Sequence, residues 1–419
     1  MNFFAILILI SSIFSFSGHI TQNTTWDEDV IVTGNVWIDP GVTLTIMPGV
    51  NVKFVKVDVN DDNIGDTQFI IQGRLLSQGM ANNKVYFTSN EDNPQPNDWS
   101  GFYYETNEDG ELSIVSNTEI LYADKGFHLN GRNVTFNACR IAESGSYGMR
   151  IQSTIYTTTF NTTLIESNQD YGLLIENGTV NISGLSIFNN GSYGMKALSN
   201  VSIDADDLIL STNNGVGLIL ENLTDASFTD SRSVSNTGHG IDIDNGTPQF
   251  SNCDFSNNGN NGIDISDANP TFTNCTIQSN DHNGIELSNG SNPNFQYCDI
   301  NFNEGTGFFV YESSEPIINY SNIFENEQDS NFQEIRIDGL SVIADVGGSS
   351  CTHKSDSQNI NFGLPSKQIG YVKYHVQAAD RCDNNPSLSY SIRVGETTVS
   401  ERDDWGNGTG FTQVISDNI

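Results

Sequence analysis

The chain of 419 residues carries 52 acidic and 17 basic side chains, which gives a formal net charge of -35 at pH 7. A charge of this sign and size repels phosphate backbones and anionic bilayers and attracts divalent cations, so nucleic acid is excluded as a favoured partner. The length suits two or three average domains, or a repeat architecture to which that estimate does not apply.

The first predicted feature in chain order is an export signal. The segment MNFFAILILISSIFSFSG (residues 1–18) is apolar and ends in small residues, although its first residues lack Lys and Arg. It is too short for a comfortable membrane span, and no later run is apolar enough to cross a bilayer. We therefore predict a signal peptide at 1–18 and a secreted or cell-surface protein without a transmembrane segment.

An acidic loop comes next. The stretch DVNDDNIGD (Asp58 to Asp66) supplies closely spaced hard oxygen ligands and a glycine turn, as a calcium loop requires. Over these residues alone it is similar to the aspartate-rich calcium repeats of thrombospondin type 3. We predict calcium as a cofactor, and the alternative is a solvated acidic turn. The predicted metal ligands are Asp58, Asn60, Asp62, Ile64 and Asp66.

A repeat of 22 to 24 residues follows. The segments FSNCDFSNNGNNGIDIS, FTNCTIQSNDHNGIELS and FQYCDINFNEGTGFFVY align on Cys253, Cys275 and Cys298, with an Asn five residues after each Cys and a Gly nine after it. The Gly row runs back through Gly240, Gly217, Gly194, Gly172, Gly148 and Gly126, and the Asn row through Asn236, Asn213, Asn190 and Asn168. Units this short cannot bury a face alone and must stack, which predicts the coils of a parallel β-helix.

The residues after each Gly alternate between core and solvent. Ile241, Asp242 and Ile243 are followed, one and two coils later, by Ile263, Asp264 and Ile265, and by Ile285, Glu286 and Leu287. With coils stacked about 4.8 Å apart, each inward position becomes a continuous core row. The Asn row is expected to hydrogen-bond amide to amide, and the Gly row to occupy a bend that a Cβ would crowd.

This pattern resembles the right-handed parallel β-helix proteins of the pectate-lyase-like superfamily. Residues 30–54 and 85–105 look like the first coils of secreted members, so the resemblance covers roughly 26–339. It implies an all-β fold with N-terminal coils and a cap over 19–110 and regular repeats over 111–339. After Gly339 the repeat is lost, and two alternating strand candidates around an Asp-Asn-Asn-Pro turn predict a small C-terminal β appendage or cap over 340–419. This scaffold carries lyases, hydrolases, adhesins and structural proteins, so the resemblance specifies no function.

The cysteines divide into two groups. Cys139, Cys253, Cys275 and Cys298 fall in one inward position, so we expect buried free thiols that pack as small hydrophobes. The predicted disulfide joins Cys351 to Cys382 in the tail.

Candidate chemistry lies on the outer face of the repeats. Gly238-His239-Gly240 is similar to a motif of polygalacturonases, but the acidic and basic partners of that motif are missing, which favours a variable surface position for His239. Asp242, Asp264 and Glu286 project outward from successive coils, and their spacing of about 4.8 Å is near that of retaining glycosidases. The alternative is a solvated or cation-bridged row.

A second outward row consists of Tyr147, Tyr171 and Tyr193, which either lie against sugar rings or stack on one another. The preferred hypothesis is a secreted or cell-surface protein for adhesion or carbohydrate binding, with a polysaccharide or glycan surface and divalent cations as partners. The alternative is an extracellular polysaccharide hydrolase or lyase that uses Asp242, Asp264 and Glu286 with His239.

Overall fold

The computed structural model of the chain describes residues 14–105, 111–311, 314–324 and 326, and the backbone of five strands between 336 and 416. The fold is an all-β parallel solenoid of about 13 turns, spaced about 23 residues apart, with no helix among the described residues. The predicted fold class is therefore confirmed. The chain divides into two compact units, residues 1–170 and 171–419.

The named strands of the first unit all pair in parallel. They are β1 (Phe14–Ile20), β2 (Thr24–Trp26), β3 (Val30–Ile38), β4 (Thr43–Ile46), β5 (Asn51–Phe54), β6 (Gln68–Ile71), β7 (Arg74–Gln78), β8 (Val85–Ser89), β9 (Trp99–Tyr104), β10 (Ser113–Ser116), β11 (Thr118–Leu121), β12 (Ala123–Asn130), β13 (Val134–Asn137), β14 (Arg140–Ala142) and β15 (Met149–Glu166). Strand β1 pairs with β3 and overlaps the end of the predicted signal peptide. Residues 1–13 lie outside the described residues, and the signal peptide stays a prediction.

The coils of the second unit are also parallel. Their strands are β16 (Leu173–Phe188), β17 (Met195–Ala197), β18 (Val201–Ser211), β19 (Leu218–Leu223), β20 (Asp225–Thr229), β21 (Arg232–Val234), β22 (Ile241–Gly246), β23 (Gln249–Ser251), β24 (Ile263–Ala268), β25 (Thr271–Thr273), β26 (Thr276–Gln278), β27 (Ile285–Ser288), β28 (Asn294–Gln296), β29 (Asp299–Asn301), β30 (Phe308–Val310), β31 (Ile317–Asn319) and β32 (Asn322–Phe324). From β24 onward each coil contributes three short strands.

The backbone beyond the repeats forms five more strands, β33 (Arg336–Ala344), β34 (Tyr371–Ala378), β35 (Ser387–Val394), β36 (Thr397–Asp404) and β37 (Phe411–Ser416). Strand β33 pairs in parallel with β31 through residues 336–338. Strand β34 pairs with β33 and β37, and β35 pairs with β36. The two strands predicted around the Asp-Asn-Asn-Pro turn therefore exist, but they do not pair with each other.

The predicted core rows are confirmed in the second unit. Ile241, Ile263, Ile285 and Phe308 are paired in register from coil to coil, and all four are fully buried. A second row consists of phenylalanine rings that stack with centroids 4.8 to 5.0 Å apart and interplanar angles of 4 to 10°. Its members are Phe228, Phe250, Phe272 and Phe295.

The asparagine row is a buried hydrogen-bond ladder. Each backbone N–H and each side-chain amide donates to the Oδ1 atom of the Asn in the next coil, at 2.8 to 3.2 Å. A second amide hydrogen bond reaches a carbonyl of the preceding coil, as from Asn213 to Ile187 at 3.2 Å. The members in the second unit are Asn190, Asn213, Asn236, Asn258, Asn280, Asn303 and Asn326.

The glycine row packs against this ladder. A Cβ on Gly262 would lie 2.6 Å from the Asn280 amide nitrogen and 2.8 Å from the Gly284 carbonyl oxygen. Both separations are shorter than van der Waals contact, so a side chain there would displace the ladder. The prediction that a Cβ would crowd the bend of the glycine row is confirmed.

The outer bends explain the abundance of asparagine in the repeats. Asn222, Asn245 and Asn289 occupy equivalent bends and adopt φ values of 59, 57 and 53°. Asparagine tolerates this left-handed region because its side chain can hydrogen-bond locally. The Asn245 amide also donates to Asn222 Oδ1 at 3.0 Å. These residues allow sharp corners between short strands.

Candidate functional site

The outward carboxylates form one aligned row. Parallel pairing places Asp242 beside Asp264, and Asp264 beside Glu286. The isoleucine and leucine residues on either side of each acid are fully buried, so the strand alternation directs every carboxylate outward. We call the surface made by Asp242, Asp264, Glu286 and His239 the acidic face.

Glu286 is the most heavily hydrogen-bonded acid of the row. The Asn261 amide donates to Glu286 Oε2 at 2.8 Å and to Asp264 Oδ2 at 3.1 Å. The Asn283 amide donates to Glu286 Oε2 at 3.3 Å, and the Tyr311 hydroxyl donates to Glu286 Oε1 at 3.2 Å. Donors on both oxygens hold the orientation of this carboxyl group.

His239 lies in the turn before β22 and belongs to the same cluster. Its Nδ1 atom is 3.8 Å from Asp264 Oδ2, and its Nε2 atom is 3.1 Å from the Asn260 amide nitrogen. Because that amide is a donor, the neutral ring carries its proton on Nδ1, toward Asp264. The side chain is 21% exposed and Nδ1 is buried without a hydrogen bond. The interpretation of His239 as a variable surface position is therefore incomplete.

Two acids of the row ionise less readily than free aspartate. Burial raises the pKa of the Asp264 carboxyl, and the charges of Glu286 and Asp242 raise it further, while His239 opposes them. Burial also raises the pKa of Asp242, with Asp244 and Glu221 adding to it. A raised pKa keeps more of the carboxyl protonated, so Asp264 is available as a proton donor up to a higher pH than a solvated aspartate. Asp264 and the strongly hydrogen-bonded Glu286 therefore differ in environment.

The two asparagines that hydrogen-bond the acids belong to a short sequence pattern that the repeat spacing alone did not single out. His239-Gly240-Ile241-Asp242, Asn261-Gly262-Ile263-Asp264 and Asn283-Gly284-Ile285-Glu286 are three copies of one tetrapeptide pattern. In the second and third copies the amide at the first position donates to the acid at the fourth, from Asn261 to Asp264 and from Asn283 to Glu286. In the first copy His239 lies near Asp264 of the next coil. Tyr311 was also missed, because its contact with Glu286 joins different coils.

Two tyrosines of the predicted row stack on each other. Tyr171 and Tyr193 stack with centroids 5.0 Å apart and an interplanar angle of 4°, so each covers a face of the other. Tyr147, in the first unit, is only 5% exposed. These contacts fit the ring-stacking interpretation.

The acidic loop of the first unit folds around its own carboxylates. Asp58 accepts hydrogen bonds from the N–H groups of Asp62 and Asn63, at 3.3 and 2.9 Å. Asp62 accepts one from Ile64 at 2.8 Å, and Asp66 accepts one from the backbone seven residues earlier at 2.7 Å. Nowhere in the described part of the chain do three or more His, Cys, Asp or Glu side chains stand ready to hold a metal ion.

The predicted cysteine chemistry is settled for four residues. Cys139, Cys253, Cys275 and Cys298 are free and buried, as expected. The predicted disulfide between Cys351 and Cys382 lies outside the described residues. Within the described ranges, no helix has the length and apolar character that a membrane crossing requires.

The chain is similar to several solved structures. Three similar solved structures are a point mutant of the periplasmic alginate epimerase AlgG (12% identity, 75% of this chain and 77% of that one, TM-score 0.49), the Azotobacter vinelandii mannuronan C-5 epimerase AlgE4 A-module (14%, 75% and 85%, 0.35) and the pectate lyase Pel9A (15%, 72% and 70%, 0.35). No curated protein matches the chain.

A family model is more direct. The model described as "Right handed beta helix region" matches residues 125–265 and 209–360. Together the two matches span 125–360, which is more than half of the 419 residues. They agree with the parallel coils, the buried isoleucine rows and the asparagine ladder. The chain therefore belongs to the right-handed β-helix family.

Proposed function

We propose that this protein is a secreted or cell-surface carbohydrate-binding protein and that the acidic face holds the glycan. The observation that carries the proposal is the grouping of Asp264, Glu286, Asn261 and His239 on one outer sheet surface. Asn261 donates hydrogen bonds to both acids, and His239 Nδ1 lies 3.8 Å from Asp264 Oδ2. Sugar hydroxyls both donate and accept hydrogen bonds, and carboxylates, amides and imidazole supply the complementary atoms. A few such groups at fixed positions set the orientation of a ligand.

An aromatic pair beside the row supports the same ligand class. Phe309 follows Glu286 in register, and its ring centroid lies 5.5 Å from that of Tyr311. Phe309 and Tyr311 are both half-buried rather than packed away. An apolar ring next to carboxylates and amides suits a ligand with C–H surfaces and hydroxyls, as a pyranose has.

The charge of the protein restricts the class of glycan that it can bind. A net charge of -35 and a row of carboxylates repel polyuronates, unless divalent cations bridge the two surfaces. The face extends over two coil spacings, about 9.6 Å in all, so it accommodates more than one sugar. We therefore propose a neutral or cationic polysaccharide as the ligand, with adhesion to a glycan surface as the biological role.

Affinity electrophoresis through gels containing neutral, cationic and uronate glycans tests this proposal. Glu286→Gln removes the charge but keeps the shape, and it is expected to weaken binding about 10- to 100-fold because a charge-assisted hydrogen bond is lost. Asp204→Asn is the matched control, because Asp204 is an exposed acid on β18, away from this face. Equal weakening by the two variants, or no binding to any neutral or cationic glycan, would contradict the proposal.

Hydrolysis is the second function that an observation favours. Asp264, with its raised pKa, and Glu286, which accepts hydrogen bonds from three side chains, lie on adjacent coils. Their spacing of about 4.8 Å approaches the roughly 5 Å that separates acid and nucleophile in retaining glycosidases. Incubation of the same glycans with the protein, followed by measurement of new reducing ends, distinguishes an enzyme from a binding protein. Loss of those ends in Asp264→Asn would assign the general acid.

Calcium binding by the acidic loop is the remaining proposal. Asp58, Asn60 and Asp62 already converge, since the Asp62 N–H donates to oxygens of both other side chains. With Ile64 and Asp66 they would hold a hard cation and rigidify the loop.

Chelation measures the effect of that cation. At calcium concentrations about 100-fold above the dissociation constant, EDTA is expected to remove about 2.7 kcal/mol of stability and to lower the melting temperature. The double variant Asp58→Asn, Asp62→Asn should lose this response, whereas Asp61→Asn, outside the ligand set, should retain it. A melting temperature that EDTA leaves unchanged would argue against calcium.

A further inference from the structure

Three thiols lie in a single row inside the second unit. Cys253, Cys275 and Cys298 are free and at most 2% exposed. Parallel pairing of Asp254 with Thr276 and of Thr276 with Asp299 places each cysteine directly beside the next. Consecutive thiols are therefore about 4.8 Å apart, the spacing of neighbouring strands.

This spacing matches one particular coordination geometry. A metal–thiolate bond is about 2.3 Å long, so a metal ion with two opposite sulfur ligands spans about 4.6 Å. Soft metal ions prefer thiolates over the oxygen ligands that cover the rest of this acidic protein. The row cannot surround an ion with three ligands, in agreement with the absence of such a group among the described residues. It can place two sulfurs on opposite sides of one ion.

The surroundings of the row decide the charge of such a complex. The three thiols are almost wholly buried, so a neutral complex is favoured over a charged one. Metal binding to a buried thiol displaces the proton of that thiol.

We propose that the thiol row binds one soft, two-coordinate metal ion, of the class of Hg(II), Ag(I) and Cu(I), between Cys275 and one neighbouring cysteine. With Hg(II), two S–H bonds break, two Hg–S bonds form, two protons leave and no oxidation state changes. The product is neutral. With a monovalent ion one proton leaves and the second ligand remains a thiol, which is neutral as well.

A small cavity lies beside Cys253, the first cysteine of the row. A cavity of about 10 Å³ is lined by Cys253, Phe255 and Arg232, among other residues. The exposed Arg232 is one of the residues that line this cavity, beside the buried Cys253. The volume is that of about one water molecule, and binding is expected to be slow because the coils must open slightly to admit an ion.

Serine substitutions distinguish an ion held between two cysteines from an ion bound to a single thiol. Cys275→Ser leaves Cys253 and Cys298 about 9.6 Å apart, too far for one ion to join. Cys253→Ser and Cys298→Ser each leave one adjacent pair. Cys139 is the matched control, because its neighbours in the first unit are Thr118 and Thr163. Buried serines already occupy this position at Ser231 and Ser321, so the coils tolerate the change.

The test is titration of the full chain and each variant with Hg(II) against a competing small thiol, followed by the mercury–thiolate absorption band and by native mass. Cys275→Ser is expected to bind at least about 100-fold more weakly than the wild type, because the second ligand is lost. Cys253→Ser, Cys298→Ser and Cys139→Ser should bind like the wild type. The tail cysteines Cys351 and Cys382 are present in every variant, so any mercury that they bind does not differ between the variants.

Circular dichroism melts confirm that each variant is folded before the titrations are compared. Binding by Cys275→Ser that is as tight as that of Cys253→Ser would overturn the proposal. So would equal weakening by all four substitutions, since both results show that no pair of adjacent thiols is required.

Discussion

Replacing Asn213 by alanine is expected to destabilise the protein by about 3 to 5 kcal/mol. The Asn213 side chain accepts hydrogen bonds from the backbone and the amide of Asn190, and donates to Ile187 and Asn236. Asn213 is fully buried, so the groups left behind find no water in exchange. Each buried polar group without a partner costs about 1 to 3 kcal/mol, which is why the effect is large for one small side chain.

The neighbouring residue supplies the control for this experiment. Asn214 is exposed, and its hydrogen bonds, to Gly191 and from Thr237, are both 3.4 Å long. Asn214→Ala should therefore cost less than about 0.5 kcal/mol, the usual range for surface substitutions. Denaturant unfolding of both variants, followed by circular dichroism, measures the difference. Equal midpoints for the two variants would show that the ladder does not stabilise the coils.

Phe272→Ala is expected to cost about 3 to 5 kcal/mol. The Phe272 ring is fully buried and stacks on Phe250 and on Phe295, with centroids 4.8 Å apart in both cases. Truncation to alanine leaves a cavity in the middle of the row, and rigid neighbours in adjacent coils cannot close it. The two stacking contacts are lost in addition to the buried area.

A graded substitution tests the reason for this loss. Phe272→Leu keeps most of the volume and removes the stacking, so it should cost about 1.5 kcal/mol or less. Unfolding midpoints of both variants and the wild type provide the comparison. If leucine were as harmful as alanine, ring stacking rather than volume would dominate the row.

The repeat made much of the fold predictable. Every coil meets its neighbours through the same contacts, so a column in the sequence alignment becomes a row in space. The positions of Asn213, Gly262 and Ile263 were therefore predicted correctly, together with their roles in the ladder, the bend and the core. The same logic placed Asp242, Asp264 and Glu286 in one outward row.

The regions outside the regular repeat were less predictable. Strand β1 overlaps the predicted signal peptide, because an apolar run of alternating side chains suits a first coil as well as an export signal. The tail strands were recognised, but their partners depend on contacts between distant segments, which local alternation does not encode.

The sequence by itself determined the coil, its period, the identity of the core rows and the row of outward acids, because these follow from alternation and from a spacing that repeats. Only the tertiary structure decided which of those acids is surrounded by donors. Glu286 is held by Asn261 of the preceding coil and by Tyr311 of the next, and His239 turns toward Asp264. Side-chain direction and burial depend on residues in adjacent coils, and a single strand contains neither.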